Sequence, residues 1–216
     1  NAYMALGSFR DPLAGRKQTN ALAFRCLWAD IDAGKKDSTY ANVSEALAGV
    51  IQFRRATGFV PSIVVSSGMG LHAYWQLSHD VDIPTWKTLA ATFHKVCTEY
   101  KLDIDSTRAE DCASILRLPG TVHVKSGNIV GVLYDAPVQY NPDDFLRLMQ
   151  DKVGSVAAKP IPMSAPVQVS NPAFDAEMGP MQGQYARYVL CKTKKQQGFP
   201  TVVRTETVAY PVKGIL

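Results

Sequence analysis

Apolar and polar positions in the first 150 residues follow the pattern of a sheet with helices packed on it. Apolar runs over 22–32, 61–67, 71–77 and 128–134 predict strands. Helical spacing of apolar residues over 42–57 and 84–100 predicts two packing helices, and Asn141 and Pro142 are expected to begin a short helix that ends near Met149. The predicted class is α+β, with a mixed or antiparallel sheet and the helices behind it.

The pattern changes beyond this region. Residues 151–172 are rich in Pro, Ala, Ser and Val, which predicts an extended linker. Residues 173–216 are interpreted as a C-terminal appendage, and they contain no motif that indicates its role. Residues 1–150 are therefore expected to form the main domain.

Composition narrows the class of protein only slightly. The chain has 216 residues, of which 46% are hydrophobic, and a formal net charge of +4, which is compatible with nucleic acid as a partner. No apolar run approaches the roughly 20 residues of a membrane span, so we expect no membrane association and a cytoplasmic location. The four cysteines lack the short paired spacing of a zinc site and are expected to be reduced.

An acidic pair ends the strand predicted over 22–32. Side chains alternate along a strand, so Asp30 and Asp32 should project from one face, with Cα atoms roughly 7 Å apart. Two like charges side by side favour a neutralising cation, and carboxylate oxygens suit Mg²⁺ or Mn²⁺. The alternative is a strand end that leaves two solvated carboxylates, since a turn at Gly34 follows at once.

A second candidate lies where the strand predicted over 61–67 ends in Ser66-Ser67-Gly68-Met69-Gly70. Two glycines let backbone N–H groups approach an anion, as phosphate-binding turns require. His72 follows on the polar side of the next strand, where a ligand could lie. A structural histidine is the alternative.

Further charged residues follow the second predicted helix. Asp105 could supply a third carboxylate, and Arg117 and Lys125 could hold a triphosphate, Arg by its planar fork and Lys as a point charge. Arg16 and Lys17 lie in an N-terminal loop that could also meet phosphates. Ordinary solvated surface charge is the alternative for all of these residues.

Together, three motifs in order resemble the archaeo-eukaryotic primase superfamily, above all the primase-polymerases of phages, plasmids and mobile elements. They are Leu-Trp-Ala-Asp-Ile-Asp, Ser-Ser-Gly-Met-Gly-Leu-His-Ala-Tyr-Trp, and Ile-Asp followed by Ser-Ile-Leu-Arg-Leu-Pro-Gly-Thr-Val-His-Val-Lys. The resemblance implies a catalytic core like the RNA-recognition motif, joined to a smaller N-terminal α/β unit. We expect one face of the predicted sheet to carry all three motifs.

The resemblance also implies roles for individual residues. The metal ligands and catalytic acids, which would bind two divalent ions, are Asp30, Asp32 and Asp105. Asp103 and Asp111 are rivals for the third position. The residues that would contact the phosphates of the incoming nucleotide and offset their charge are Ser67, Gly70, His72, Arg117 and Lys125. His123 stands where the relatives usually carry Asn.

The implied activity is that of a DNA primase or polymerase, a nucleotidyl transferase that uses NTPs or dNTPs with Mg²⁺ or Mn²⁺. A single-stranded DNA template is the expected partner, with basic and aromatic contacts from Arg16, Lys17, Lys35, Lys36 and Tyr74. A replicative helicase would be a separate protein or domain, because the sequence contains no Walker motif. The alternatives are a module that binds nucleotides or single strands without chemistry and a metal-dependent nuclease.

Overall fold

The computed structural model describes residues 2–156, so the predicted appendage and the linker beyond Val156 lie outside the described residues. Within these residues seven strands and four helices follow one another, with a 3₁₀ turn at Gln18–Asn20 before the third strand. They are β1 (Tyr3–Ala5), β2 (Gly7–Phe9), β3 (Ala21–Asp32), α1 (Val43–Thr57), β4 (Ile63–Ser66), β5 (Gly70–Asp82), α2 (Ile83–Glu99), α3 (Ser106–Ala109), β6 (Ile115–Arg117), β7 (Gly131–Asp135) and α4 (Pro142–Val156).

The main sheet has five strands in the order β2-β3-β5-β4-β7, and every neighbouring pair is antiparallel. Its centre is the long pairing of β3 with β5, in which Asp30 lies opposite His72 and Asp32 opposite Gly70. The first two sequence motifs therefore meet on adjacent strands. The α+β prediction with an antiparallel sheet is confirmed.

A second sheet of two antiparallel strands joins the start of the chain to a distant segment. β1 pairs with β6, and Tyr3 lies opposite Arg117 in that ladder. The next strand, β2, pairs with β3 in the main sheet. The N-terminal segment thus connects the strand that carries Arg117 to the strand that carries the acidic pair.

Two helices cover one face of the main sheet, as the apolar spacing predicted. The Asn42 side chain caps α1 by accepting from the N–H of Glu45 at 3.0 Å, and the Asp82 side chain caps α2 by accepting from the N–H of Thr85 at 3.0 Å. The Trp75 ring of β5 packs against Phe53 of α1 at 5.9 Å and Phe93 of α2 at 4.6 Å. These edge-on and tilted aromatic contacts fix both helices on the sheet.

Beyond Phe24, where the pairing with β2 ends, the edge of β3 that faces away from β5 is covered by side chains and loops. The indole N–H of Trp86 donates to the carbonyl of Cys26 at 3.0 Å, and the N–H of Asp105 donates to the carbonyl of Asp30 at 2.7 Å. Trp28 also donates its indole N–H to the carbonyl of Arg108 at 3.0 Å. The segment before and within α3 is therefore anchored beside the acidic pair.

Several details differ from the sequence predictions, among them the length of β5, which continues past residue 77 to Asp82. α4 continues past Met149 to Val156, so the first residues of the predicted linker are helical. Asp105 lies in the loop that precedes α3, not on a strand, so the expectation that one sheet face carries all three motifs is wrong for the third motif. None of the helices within residues 2–156 has the length and apolar character of a membrane span.

The three described cysteines, Cys26, Cys97 and Cys112, are free, and Cys191 lies outside the described residues. Burial raises the pKa of Cys26 to about 12 and raises that of Cys97 further. A thiol with so high a pKa is a poor nucleophile, so Cys26 and Cys97 act as packing residues.

Candidate active site

Asp30 and Asp32 project from the same side of β3, as the strand spacing predicted, but their surroundings differ. The Asp30 side chain is 22% exposed, and one of its carboxylate oxygens lies 3.7 Å from Nε2 of His72. The Asp32 side chain is 39% exposed and forms an ion pair with the Lys35 ammonium at 2.5 Å. The chain thus supplies a cation for Asp32, whereas Asp30 faces an imidazole.

A backbone hydrogen bond brings the third acid to the first. The N–H of Asp105 donates to the Asp30 carbonyl, and the Asp105 side chain caps α3 by accepting from the N–H of Thr107 at 2.9 Å and from its hydroxyl at 2.6 Å. The other carboxylate oxygen of Asp105 lies 3.9 Å from Nε of Arg108. Asp105 is therefore fixed next to Asp30 by both backbone and side-chain contacts.

The grouping of these acids changes the acidity of Asp30. Burial, followed by the negative charges of Asp32 and Asp105, raises its pKa from 3.8 to about 6, and the positive charges of Lys35 and Arg108 oppose this rise. A raised carboxyl pKa means that the ionised form lacks compensating positive charge. A bound cation would supply that charge.

The three acids fit a divalent cation in donor type and charge, but they do not form a ready-made cage. As the side chains stand, residues 2–156 contain no group of three Asp, Glu, His or Cys side chains that could hold a metal ion. One oxygen of Asp32 is engaged by Lys35, and one of Asp105 is engaged by Thr107. Metal binding at these acids would require the ammonium to leave and the carboxylates to turn.

Asp111, one of the two rivals for the third position, has other partners. The Asp111 carboxylate accepts from the side-chain amide of Gln18 at 3.1 Å and from the N–H of Ala113 at 2.9 Å, and so organises its own turn. Asp105 is among the charges that raise the pKa of Asp30, whereas Asp103 and Asp111 are not. The geometry therefore favours Asp105.

The turn between β4 and β5 is buried and tight. The N–H of Ser67 donates to the Gly70 carbonyl at 2.9 Å, and Ser67 is only 5% exposed. A Cβ atom at Gly70 would lie 2.2 Å from the carbonyl oxygen of Ile31, so the absence of a side chain lets β5 approach β3. Gly70 thus has a structural reason to be glycine that does not depend on an anion.

His72 is buried, not turned toward solvent as its strand position suggested. It is 1% exposed, and its Nδ1 atom is buried without a hydrogen-bond partner. Burial, followed by the nearby positive charge of Arg117, lowers its pKa to about 3. His72 is therefore neutral at pH 7 and cannot offset phosphate charge as expected, although a neutral ring can still donate one hydrogen bond.

The predicted cationic residues lie near two histidines, Arg117 near His72 and His123, and Lys125 near His123. The positive charge of Arg117 lowers the pKa of both His72 and His123, and the charge of Lys125 lowers that of His123 after burial and Arg117. The Nε atom of Arg117 is buried without a partner. Arg117 is thus electrostatically linked to both histidines, whereas Lys125 is linked only to His123.

The loop that carries Lys125 is clamped onto the glycine turn. The side-chain amide of Asn128 donates to the Gly68 carbonyl at 2.7 Å, and the Ser126 hydroxyl donates to the same oxygen at 3.2 Å. The N–H of Ser126 donates to Nδ1 of His123 at 3.1 Å. Gly68 has φ +99, and a Cβ atom there would lie 2.4 Å from Cβ of His123, so only glycine suits this contact.

Comparison with solved structures shows the fold. The archaeo-eukaryotic primase (AEP) domain of the cyanophage S-2L primase-polymerase superposes with a TM-score of 0.54 at 20% sequence identity. The match covers 69% of this chain and 70% of that chain. This chain has the AEP fold. The catalytic domain of primase Repb', solved in complex with initiator DNA, matches at a TM-score of 0.42 and 13% identity, over 63% of this chain and 64% of that one.

Sequence comparison adds one relative. A replication protein of Clostridium perfringens is 26% identical over 135 residues, which are 62% of this chain and 32% of that protein. This chain therefore spans about a third of the length of that relative. No protein-family model matches the chain.

The residues expected to contact the template differ in exposure and in their partners. Nε of Arg16 donates to the Ala113 carbonyl at 2.5 Å, and Lys17 and Lys36 are exposed. Lys35 is paired with Asp32. Tyr74 is 6% exposed, so it cannot stack on a template base as expected.

Sequence reasoning missed the residues that hold the site together. Ser126 and Asn128 stand in a Gly-containing turn, which signals a loop but not its contact with Gly68. Arg108 was missed as the basic neighbour of Asp105, although its position three residues later on a short helix is a usable signal. Sequence reasoning also missed Tyr3, which lies opposite Arg117 in the ladder between β1 and β6.

Proposed function

We propose that this chain carries the catalytic domain of a DNA primase or polymerase, which joins nucleotides in the order set by a template. The proposal rests on the convergence of Asp30, Asp32 and Asp105, whose negative charges add to burial in raising the pKa of Asp30. Paired carboxylates beside cationic side chains are what metal-assisted phosphoryl transfer requires. The AEP fold of a phage primase-polymerase and the similarity to a replication protein support the same function.

Each group has a role in this proposal. Asp30, Asp32 and Asp105 would hold two divalent ions, Mg²⁺ or Mn²⁺, which when bound activate the 3′-hydroxyl and neutralise the triphosphate. Arg117 would bind the triphosphate of an NTP or dNTP by its planar fork, and Lys125 would add a mobile point charge.

The neutral groups would orient the substrate. His72 has a free ring nitrogen for a single hydrogen bond, and Ser67 lies in the adjoining buried turn. Single-stranded DNA is the proposed template, held by backbone contacts and stacking outside the acidic site. A replicative helicase is a further proposed partner.

The test is extension of a labelled primer on single-stranded DNA by the full 216-residue chain, with Mg²⁺ or Mn²⁺ and with NTPs or dNTPs in turn. Asp30→Asn should lower the rate at least about 100-fold, since several kcal/mol of charge stabilisation in the transition state is lost. Asp37→Asn, which changes an exposed aspartate on the loop after β3, is the matched control and should retain activity. Equal activity of Asp30→Asn and the parent chain would overturn the proposal.

A binding module without chemistry is the second candidate. It is favoured by the ion pair of Lys35 with Asp32, which leaves the acids without a ready-made metal cage. Calorimetry with ATP and dATP separates the two functions. Binding that depends on Arg117, with no extension under any metal and nucleotide condition, would support the module.

A further inference from the structure

Tyr3 is an exposed aromatic residue beside the proposed triphosphate-binding arginine. It lies directly opposite Arg117 in the ladder between β1 and β6, and 45% of it is exposed. The guanidinium carbon of Arg117 lies 5.7 Å from the centroid of the Tyr3 ring, over its face. This distance is within the range of a cation–π contact.

The other surroundings of Arg117 leave one nitrogen of its guanidinium unpaired. Its Nε atom is buried and has no hydrogen-bond partner, and its charge lowers the pKa of His72 and His123. The long side chain would sample several rotamers unless a neighbour restricted it, and ordering such a side chain on ligand binding costs affinity. The Tyr3 ring is the neighbour placed to restrict it.

We propose that Tyr3 is a positioning residue of the nucleotide site. The face of its ring holds the Arg117 guanidinium in the orientation in which it meets the triphosphate of an NTP or dNTP. The inference rests on the proposed function, because it assigns Arg117 to the nucleotide. It adds the N-terminal strand to the site, although that strand is remote in sequence from all three motifs.

A purely structural role for Tyr3 predicts different results. If the ring only packs β1 onto β6, its apolar area matters and its quadrupole does not. Tyr3→Leu retains apolar bulk without an aromatic face, whereas Tyr3→Phe retains the face without the hydroxyl. The two variants therefore separate packing from cation–π positioning.

The experiment measures binding of ATP and dATP, each with Mg²⁺, to the full chain by calorimetry, together with KM and kcat in primer extension. Tyr3→Leu should weaken binding and raise KM about five-fold, which corresponds to about 1 kcal/mol, with kcat unchanged. Tyr3→Phe should behave as the parent chain. Thermal unfolding of both variants checks that the fold is retained.

A double-mutant cycle with Arg117→Ala completes the test. In the Arg117→Ala background, Tyr3→Leu should have no further effect on nucleotide binding, because the positioned group is absent. Nucleotide affinity of Tyr3→Leu equal to that of the parent chain, while Arg117→Ala is weakened, would overturn this inference and leave the proposed function intact. No loss of affinity in Arg117→Ala would instead overturn the assignment of Arg117 to the nucleotide and this inference with it, whereas Asp30→Asn tests the proposed function separately.

Discussion

Asp30→Asn is expected to stabilise the metal-free protein at pH 8, even though it should abolish activity. Burial, reinforced by Asp32 and Asp105, raises the pKa of Asp30 from 3.8 to about 6. The folded state then binds the proton more tightly than the unfolded chain does. Its stability therefore falls as the pH rises between these two values, and it stays reduced above them. Asparagine has nearly the same shape and no charge to bury.

The magnitude follows from the size of the shift. The difference between 3.8 and about 6 corresponds to about 3 kcal/mol as an upper bound. The side chain is 22% exposed, so water screens part of the repulsion, and we expect a gain of about 1–2 kcal/mol in the free energy of unfolding. The gain should vanish at pH 4, where the carboxyl is protonated in the folded state and carries no charge to compensate.

Urea unfolding in EDTA at pH 4, 6 and 8 measures this difference, with Asp37→Asn as the exposed control. Adding Mn²⁺ at pH 8 should stabilise the parent chain and not Asp30→Asn, because a ligand stabilises only the state that binds it. If Asp30→Asn lowers stability equally at pH 4 and pH 8 in EDTA, the aspartate is not electrostatically strained and the reasoning is refuted.

Three further substitutions test the structural roles assigned here. Gly70→Ala should lower the free energy of unfolding in urea by about 3 kcal/mol, because its Cβ would overlap the Ile31 carbonyl. The control Gly154→Ala, at a helical position with open space around it, should leave the free energy of unfolding unchanged or raise it. Tyr74→Phe should raise stability by about 1 kcal/mol in thermal unfolding, since its buried hydroxyl has no partner; a loss would reveal a hydrogen bond. Asp111→Ala should cost about 1–2 kcal/mol of stability but leave Mn²⁺ affinity in calorimetry unchanged, and a weakened affinity would make Asp111 a metal ligand.

Local periodicity was enough to predict the elements that carry the first two motifs. The alternation of β3 places Asp30 and Asp32 on one side whatever the rest of the chain does. The apolar spacing of α1 and α2 likewise specifies which helix faces are buried. These features depend on residues a few positions apart, so a single sequence contains them.

Long-range contacts could not be predicted in the same way. The choice among Asp103, Asp105 and Asp111 depends on which N–H reaches the Asp30 carbonyl across the open edge of β3, and nothing in the local sequence specifies this. The burial of His72 was missed because alternation assigns a side chain to a face but does not say what covers that face. The glycine of the proposed anion turn, Gly70, proved to serve strand approach.

The charges around the acids indicate how a cation could enter the proposed site. Lys35 on Asp32 and Arg108 near Asp105 are half-exposed ion pairs between residues three positions apart, and such pairs contribute only about 0–1 kcal/mol. A divalent ion can therefore replace either cation at small cost. Asp30 is different, because its carboxylate is more buried and its raised pKa reflects uncompensated charge. Under the proposed function, Asp30 supplies most of the driving force for metal binding, while the two flanking acids become ligands once their cations are displaced.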